Sequence, residues 1–391
     1  MINPESRQRL NPLFNDNKLK LGLFCFNTCG AGFTLVPERY MATWPRSVEL
    51  VRSADALGLE AIVSASQWRG WVLDDPDHPS HNEFEPFTWC AGLGAVSSHC
   101  ALIATFHAQV HSPAFVAKAI ATIDQITGGR CGINIVAGSS KTTHGVFGKD
   151  IEGHDTRYRH TAEFVEVVRR FWMEEAEFDH QGEFYTVKGG ISVPHPLQKP
   201  YPPIMNAGNS GRGQAFAAAN ADIALTLLHE HLADKWPEQI AAYKQLARDQ
   251  HGREIQIWTH GYVVIRETEA EAEAYLRYYA EDHVDQVWVD SWVRELGEDA
   301  PKLRPEQQAL MERNWAAGGG MALVGTADQV AAKMQKLADA GVDGILLTAI
   351  EPEDMLGRLE RELLPRLEGM GLRSPWTGEH RARAPDVEAV G

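Results

Sequence analysis

Gly129-Arg130-Cys131-Gly132-Ile133-Asn134-Ile135-Val136-Ala137-Gly138-Ser139-Ser140 reads as a buried strand, Cys131 to Val136, running into a turn of small residues. The strand is apolar except for Asn134. A buried amide without a partner costs about 1–3 kcal/mol, so Asn134 either braces the core or faces a bound polar ligand. The turn from Ala137 to Ser140 lets backbone approach a ligand closely. By itself the stretch reads first as a core amide capped by loop backbone.

Outward from it the chain alternates between strand and helix signals. Upstream, Pro113 to Ile126 is helical and Gly128-Gly129 breaks it. Before that come strand-like runs at Leu19 to Phe26, Ala61 to Val63 and Ala101 to Thr105. Helical patterns at Trp44 to Leu57 and Pro86 to Ser97 separate them. Downstream, a long helix runs from about Asp155 to Glu175, with Asp155 as its expected N-cap. Strands follow at Pro203 to Ala207, Ala221 to Thr226, Ile255 to Arg266 and Gly344 to Ala349. Helices follow them at Gln214 to Ala219, Asp234 to Asp249, Glu269 to Glu281, Thr326 to Ala340 and Glu353 to Met370. This is the (β/α)8 pattern of a TIM barrel, spanning residues 19–372, with a doubly wound sheet as the alternative. Residues 1–18 form an N-terminal extension. Residues 282–320 are polar and irregular, an expected inserted flap, and 373–391 are expected to be a mobile tail.

Composition narrows the function. The 391 residues carry a net charge of −16, which disfavours nucleic acid or an anionic membrane as partner. The five cysteines show no paired metal spacing, as expected of reduced thiols in the cytoplasm. The N-terminus has no apolar signal core and no run approaches membrane-spanning length. No Gly-x-Gly-x-x-Gly, Walker loop or nucleophile elbow is present, and the sixteen histidines offer no metal ligand set.

In a barrel the site lies at the C-terminal ends of the strands. Thr105 ends the third strand, and His107, two residues on, shares its face. Asn134 lies near the end of the fourth strand; Ser64, Ser66 and Gln67 follow the second. Asn206, Asn209, Ser210 and Gly211 follow the fifth. Gly208-Asn209-Ser210-Gly211 at a strand-to-helix turn offers an anion free helix N–H groups and the helix dipole. An ordinary capped turn looks the same. Arg157 next to Tyr158 is a candidate phosphate clamp. Trp68, Trp71 and Trp89 offer apolar walls or simple packing.

The segments Thr122-Ile123-Asp124-Gln125-Ile126-Thr127-Gly128-Gly129-Arg130, Gly132 to Gly138, Asp155-Thr156-Arg157-Tyr158 and Ala207-Gly208-Asn209-Ser210 resemble the bacterial luciferase-like flavin monooxygenases. The resemblance is nearest to the pyrimidine oxygenases, then to the dimethylsulfone and alkanesulfonate monooxygenases. Leu323-Val324-Gly325-Thr326 and Gly344 to Thr348 look like the family's closing elements. The resemblance implies a (β/α)8 barrel, FMN used as FMNH2, and O2 activation. It implies flavin contacts at Ser66, Gln67, Asn134, Ala137, Gly138, Arg157, Tyr158, Ser210 and Gly211. Arg157, Tyr158 and Ser210 suit the phosphate end. Thr105 and Asn134 match the pair that holds O2 beside flavin N5, the branch that forms an N5-peroxide. Thr143 stands where the pyrimidine oxygenase has Glu, and Ser139 where it has Trp. Ser139, Trp68 and His107 are therefore the candidate substrate contacts.

The expected activity is cleavage of a C–N or C–S bond in a small heteroaromatic or sulfone-type molecule. A separate NAD(P)H-dependent flavin reductase is the expected partner, and a homo-oligomer the expected assembly. A deazaflavin-dependent reductase or dehydrogenase on the same barrel is the alternative, as is a non-catalytic flavin-binding protein; fold alone does not separate them.

Overall fold

The structure is a computed structural model and describes residues 5–138, 140–296 and 305–378. Parallel strands and covering helices alternate through most of it. The chain opens with α1 (Glu5–Leu10), β1 (Lys20–Phe24), α2 (Trp44–Ala56), β2 (Ala61–Val63), α3 (Pro86–Val96) and β3 (Ala101–His107). It continues through α4 (Pro113–Thr127), β4 (Cys131–Val136), the short α5 (Lys141–Val146) and the long α6 (His154–Met173). A hairpin, β5 (Phe178–Gln181) with β6 (Thr186–Gly190), precedes β7 (Ile204–Asn206), α7 (Gly211–Asn220) and β8 (Ile223–Leu225). Then come α8 (Trp236–His251), β9 (Gln256–Ile265), α9 (Glu269–Arg277), α10 (Gln286–Leu296) and α11 (Pro305–Ala316). The last elements are β10 (Met321–Gly325), α12 (Ala327–Asp339), β11 (Gly344–Thr348), α13 (Pro352–Arg358) and α14 (Leu364–Gly369).

Hydrogen bonding joins β1-β2-β3-β4-β7-β8-β9-β11 and returns to β1, closing an eight-stranded parallel barrel. The doubly wound alternative is excluded by this closure. Each barrel strand matches an expected strand segment. β9 is long because its successive thirds pair with β8, β11 and the flanking β10. The helix ends follow local chemistry. Gly128 adopts φ 65° to close α4, and Thr326 with Gln329 forms a capping box on α12.

Alternation along the strands sorts side chains into two cores. Outward residues such as Ile133, Ile135, Leu102 and Ile345 pack beneath the helices. Inward residues, among them Val63, Ile103, Met205, Trp258 and Leu346, fill the barrel.

The N-terminal extension closes the bottom of the barrel. Leu13 is fully buried in the interior cluster, and Asn11 donates to Gln198 Oε1 at 2.9 Å. Arg7 pairs with Asp222 at 2.6 Å. The expected tail begins with a buried anchor: Arg373 pairs with Glu60 at 2.6 Å, and both side chains are almost wholly excluded from water. Trp376 lies against the His99 ring with centroids 4.1 Å apart. Trp376 thus anchors this segment while residues 374, 375, 377 and 378 are exposed, and the rest of the expected tail lies outside the described residues. The 282–320 segment is also not irregular. Its described part forms α10 and α11, because Trp288, Val289 and Trp292 give α10 an apolar face that packs on Phe33 and Trp71. Among the described residues no helix is long and apolar enough to cross a membrane.

Candidate functional site

The β3–β4 register sets Thr105 beside Asn134 at the C-terminal end of the barrel. Thr105 Oγ1 donates to the Ser64 carbonyl, and Asn134 Nδ2 donates to Thr105 Oγ1 at 3.1 Å. The Thr105 proton is committed to Ser64, so the Asn134 amide can only present its N–H to that hydroxyl. Asn134 Oδ1 is left buried and without a partner. The site therefore offers a ligand an amide carbonyl and a second amide N–H. The Thr105 hydroxyl keeps lone-pair capacity but has no proton to give.

A second group surrounds Gly138, whose φ is 73°. A Cβ there would come within 2.7 Å of His144 Cε1 and 3.1 Å of both Gln109 Oε1 and His107 Nδ1, so only glycine fits. His107 Nε2 meets the Ser66 carbonyl at 3.1 Å, which fixes Nδ1 as the bare nitrogen. Burial pushes the His107 imidazole down to about 4, so it is neutral at pH 7. His144 Nδ1 meets the Ser140 carbonyl at 2.8 Å, leaving Nε2 bare. His107 Nδ1, Gln109 Oε1, His144 Nε2, Thr143 Oγ1 and Ser66 Oγ are all buried without partners. Such clustering of unsatisfied polar atoms marks a ligand or water site rather than a finished core. Gln109 and His144 had no sequence signal beyond their residue type.

The third group sits where α6 meets α7. The N-cap of α6 is Gly153, not Asp155; Asp155 lies in the first turn and pairs with Arg212 at 3.1 Å. Ser210 caps α7, its Oγ accepting from Gly213 N at 3.1 Å and lying 3.2 Å from His154 Nε2. The Ser210 hydroxyl is thus engaged, and a Cβ on Gly211 would meet nothing within 4 Å. Gly208 and Gly213 touch backbone to backbone, and the Tyr158 hydroxyl would lie 2.8 Å from a Gly208 Cβ. Tyr158 and Ser210 therefore come together. Arg157, the preceding residue of α6, is only 8% exposed, and its carbonyl accepts from Gln109 Nε2. Among the described residues its guanidinium has no hydrogen-bond or ion-pair partner, and Nε is fully buried.

The remaining expected residues lie on the rim. Gln67 N donates to Glu83 Oε1 at 2.7 Å, and Gln67 Nε2 turns to the Arg69 carbonyl. Burial pushes the Glu83 carboxyl up to about 8. Trp68 is 37% exposed and meets Phe147 edge-on with centroids 4.9 Å apart. Trp89 is a core residue that donates to Ser47 at 3.0 Å. Ala137 follows the end of β4, beside Gly138. Ser139 lies outside the described residues.

Over these groups α10 forms a roof. Trp71 stacks on Trp292 at 4.1 Å, and Phe33 stacks on Trp288 at 4.5 Å. Both ends of α10 are latched. Asp285 meets His78 at 3.0 Å at one end, and Glu295 accepts from Ser140 and Thr142 at the other. The indole nitrogens of Trp71, Trp288 and Trp292 are buried without partners.

Residues 19–344 match the family described as luciferase-like monooxygenase. The chain is 29% identical over 347 residues to the pyrimidine monooxygenase of Acinetobacter baylyi, covering 84% of this chain and 89% of that protein. It is 30% identical over 328 residues to the FMNH2-dependent dimethylsulfone monooxygenase of Pseudomonas putida, covering 81% and 86%. A riboflavin lyase crystallised with modified FMN and riboflavin shares the fold, with a TM-score of 0.81 at 21% identity over 93% of this chain and 94% of that one. With this barrel, this mouth and a match across most of its length, the chain belongs to the luciferase-like monooxygenase family.

Proposed function

We propose that the protein is an FMNH2- and O2-dependent monooxygenase that cleaves a C–N or C–S bond in a small heteroaromatic or sulfone-type molecule. The observation that carries the reading is Arg157. Arg157 is 8% exposed, and among the described residues it has no counterion for its guanidinium and no partner for its buried Nε, a local deficit of acceptors. A phosphate monoester relieves it. The nearby Tyr158 hydroxyl and the free first-turn N–H groups of α7 suit the same dianion. The bare polar atoms around Gly138 and the Asn134 carbonyl fit the donors and acceptors of an isoalloxazine ring. The likeness to FMN-using relatives supports the same assignment.

Reduced FMN, when bound, supplies the electrons that activate O2. The residues of this chain hold and shield it. Arg157, Tyr158 and the Ser210–Gly211 turn bind the phosphate end. Gly138 and His107 leave room for the ring edge, and Thr105 fixes the Asn134 amide so that it meets the flavin and oxygen in one orientation. Trp71, Trp288 and Trp292 exclude bulk water, which protects a reactive intermediate from hydrolysis. Reduced flavin comes from a separate NAD(P)H-dependent reductase.

The test supplies the protein with FMNH2 from such a reductase under isotopically heavy O2, with uracil or dimethylsulfone as substrate. Product carrying one heavy oxygen per FMNH2 consumed supports the reading. Oxygen incorporated from water, or substrate-independent flavin turnover with both compounds, refutes it.

A further inference from the structure

Asn134 stood out as the polar residue in an apolar strand. β9 contains a second such residue that no part of the reading above uses. Trp258, His260 and Tyr262 alternate along β9, and Trp258 lies in the barrel interior, so His260 faces the same interior one layer nearer the mouth. Its Cα partner on β11 is Leu346, another interior residue, and its ring centroid lies 5.6 Å from that of Phe24 on β1.

His260 is 8% exposed, and neither ring nitrogen has a hydrogen-bond partner among the described residues. Gly318, Gly319 and Gly320, all with positive φ, run directly over it. A Cβ on Gly320 would lie 2.8 Å from Nε2 and one on Gly319 3.4 Å from it. On this side the chain brings glycine backbone, with no polar side chain, against the imidazole. A neutral imidazole has one donor and one acceptor, and neither nitrogen is sealed from the chamber, so both are open to a ligand. Burial alone pushes its pKa down to about 4, so it carries no charge at pH 7.

The rest of the inner wall at this level is uncharged too. Phe24, Thr105, Asn134, Ala207, Tyr262 and Thr348 carry no cation, and His107 is neutral. Arg313, near Tyr262, is held by Glu273 and Glu281, and Arg157 serves the phosphate in the reading above. An anion moved into such a chamber loses its hydration and finds no countercharge among these residues. A neutral molecule with a carbonyl or sulfonyl oxygen meets an N–H instead.

We infer that His260 is a substrate-contacting, specificity-determining residue, and that the molecule it orients is neutral, a lactam or sulfone rather than a sulfonate or carboxylate. This rests on the proposed function, because it places the substrate across the barrel from the flavin.

Two matched pairs test it by binding, without turnover: dimethylsulfone with methanesulfonate, and uracil with orotate. Each is titrated calorimetrically into protein loaded with oxidised FMN. The neutral member of at least one pair is expected to bind at least tenfold more tightly than its anion. His260→Leu is expected to weaken that neutral ligand about tenfold, and His260→Gln, which keeps a donor and an acceptor, to stay within about threefold. His260→Arg is expected to strengthen the matching anion at least tenfold, and it carries the test if the Leu variant fails to fold. FMN affinity should be unchanged in all three. Equal or tighter binding of the anions by wild type, unchanged affinity in both the Leu and Arg variants, or no binding of either neutral compound overturns the inference. Loss of wild-type FMN binding or of coupled oxygenation strikes the proposed function instead.

Discussion

Replacing Arg157 with Met should move the apoprotein and the holoprotein in opposite directions. Arg157 is 8% exposed, its guanidinium is unpaired among the described residues, and its carbonyl accepts from Gln109 Nε2. Met keeps most of the side-chain volume and removes the charge. The buried Arg157 Nε is an unmet donor, worth about 1 kcal/mol or more. The apoprotein should therefore gain about 1 kcal/mol, read as a higher urea midpoint. FMN loses one or two charge-assisted hydrogen bonds worth about 1.5–3 kcal/mol each. Its Kd should rise about 10²–10³-fold, while riboflavin, lacking the phosphate, should bind within about threefold of wild type. The stabilisation that saturating FMN confers should shrink accordingly, by about 1.4 kcal/mol per tenfold change in Kd. Calorimetric titration of both ligands and urea unfolding with and without FMN measure these effects. An apoprotein weakened by the substitution, or equal losses for FMN and riboflavin, would refute the assignment of Arg157 to the phosphate.

Thr105→Val removes the hydroxyl that links Ser64 to Asn134, leaving a carbonyl and an amide N–H unmet. The expected result is a loss of about 1–3 kcal/mol in stability with FMN retained. Product per FMNH2 should fall sharply as peroxide is released, since one positioned hydrogen bond is commonly worth about 10²–10³ in rate; wild-type coupling would show that the Asn134 amide needs no anchor. Arg373→Met strands the buried Glu60 and should cost about 3–5 kcal/mol by denaturant unfolding. Burial alone would raise the Glu60 carboxyl, but Arg373 and its hydrogen bonds hold it below the ordinary value. Its contribution is therefore present above the unfolded pKa and disappears as pH falls through the folded one; a wild-type acid limb identical to that of the variant would contradict this. Glu83 has the opposite sign: burial raises its folded pKa from 4.5 to about 8, so its contribution is full below the unfolded value and is lost as pH rises toward 8. Glu83→Gln should match wild type near pH 4 and exceed it increasingly as pH rises to about 8, and the reverse order in thermal unfolding would exclude a protonated carboxyl.

The barrel was legible because its cause is local. Strand segments such as Cys131–Val136 and Gly344–Thr348 are buried on both faces and, apart from Asn134 and Thr348, apolar, as expected of buried parallel strands. Glycines at Gly58 and Gly128 end helices through positive φ, which sequence reveals directly. The position of Thr105 and Asn134 on adjacent strands also followed from the order of elements.

What the tertiary structure alone decided is which polar groups find partners. Thr105 spends its proton on Ser64, 41 residues away, and this fixes the Asn134 amide. Arg157 beside Tyr158 was a candidate phosphate clamp in the sequence, but its burial without a counterion among the described residues is visible only in the fold. The 282–320 segment looked polar and irregular because the partners of its tryptophans, Phe33 and Trp71, lie some 200 residues earlier in the chain. The sequence marks 1–18 only as an extension, and the fold places its Leu13 inside the barrel. His260 carried the same sequence signal as Asn134, a polar residue within an apolar strand. Hydrophobic period and capping are properties of neighbours in the chain, whereas the satisfaction of a buried hydrogen-bonding group depends on residues that only folding brings near.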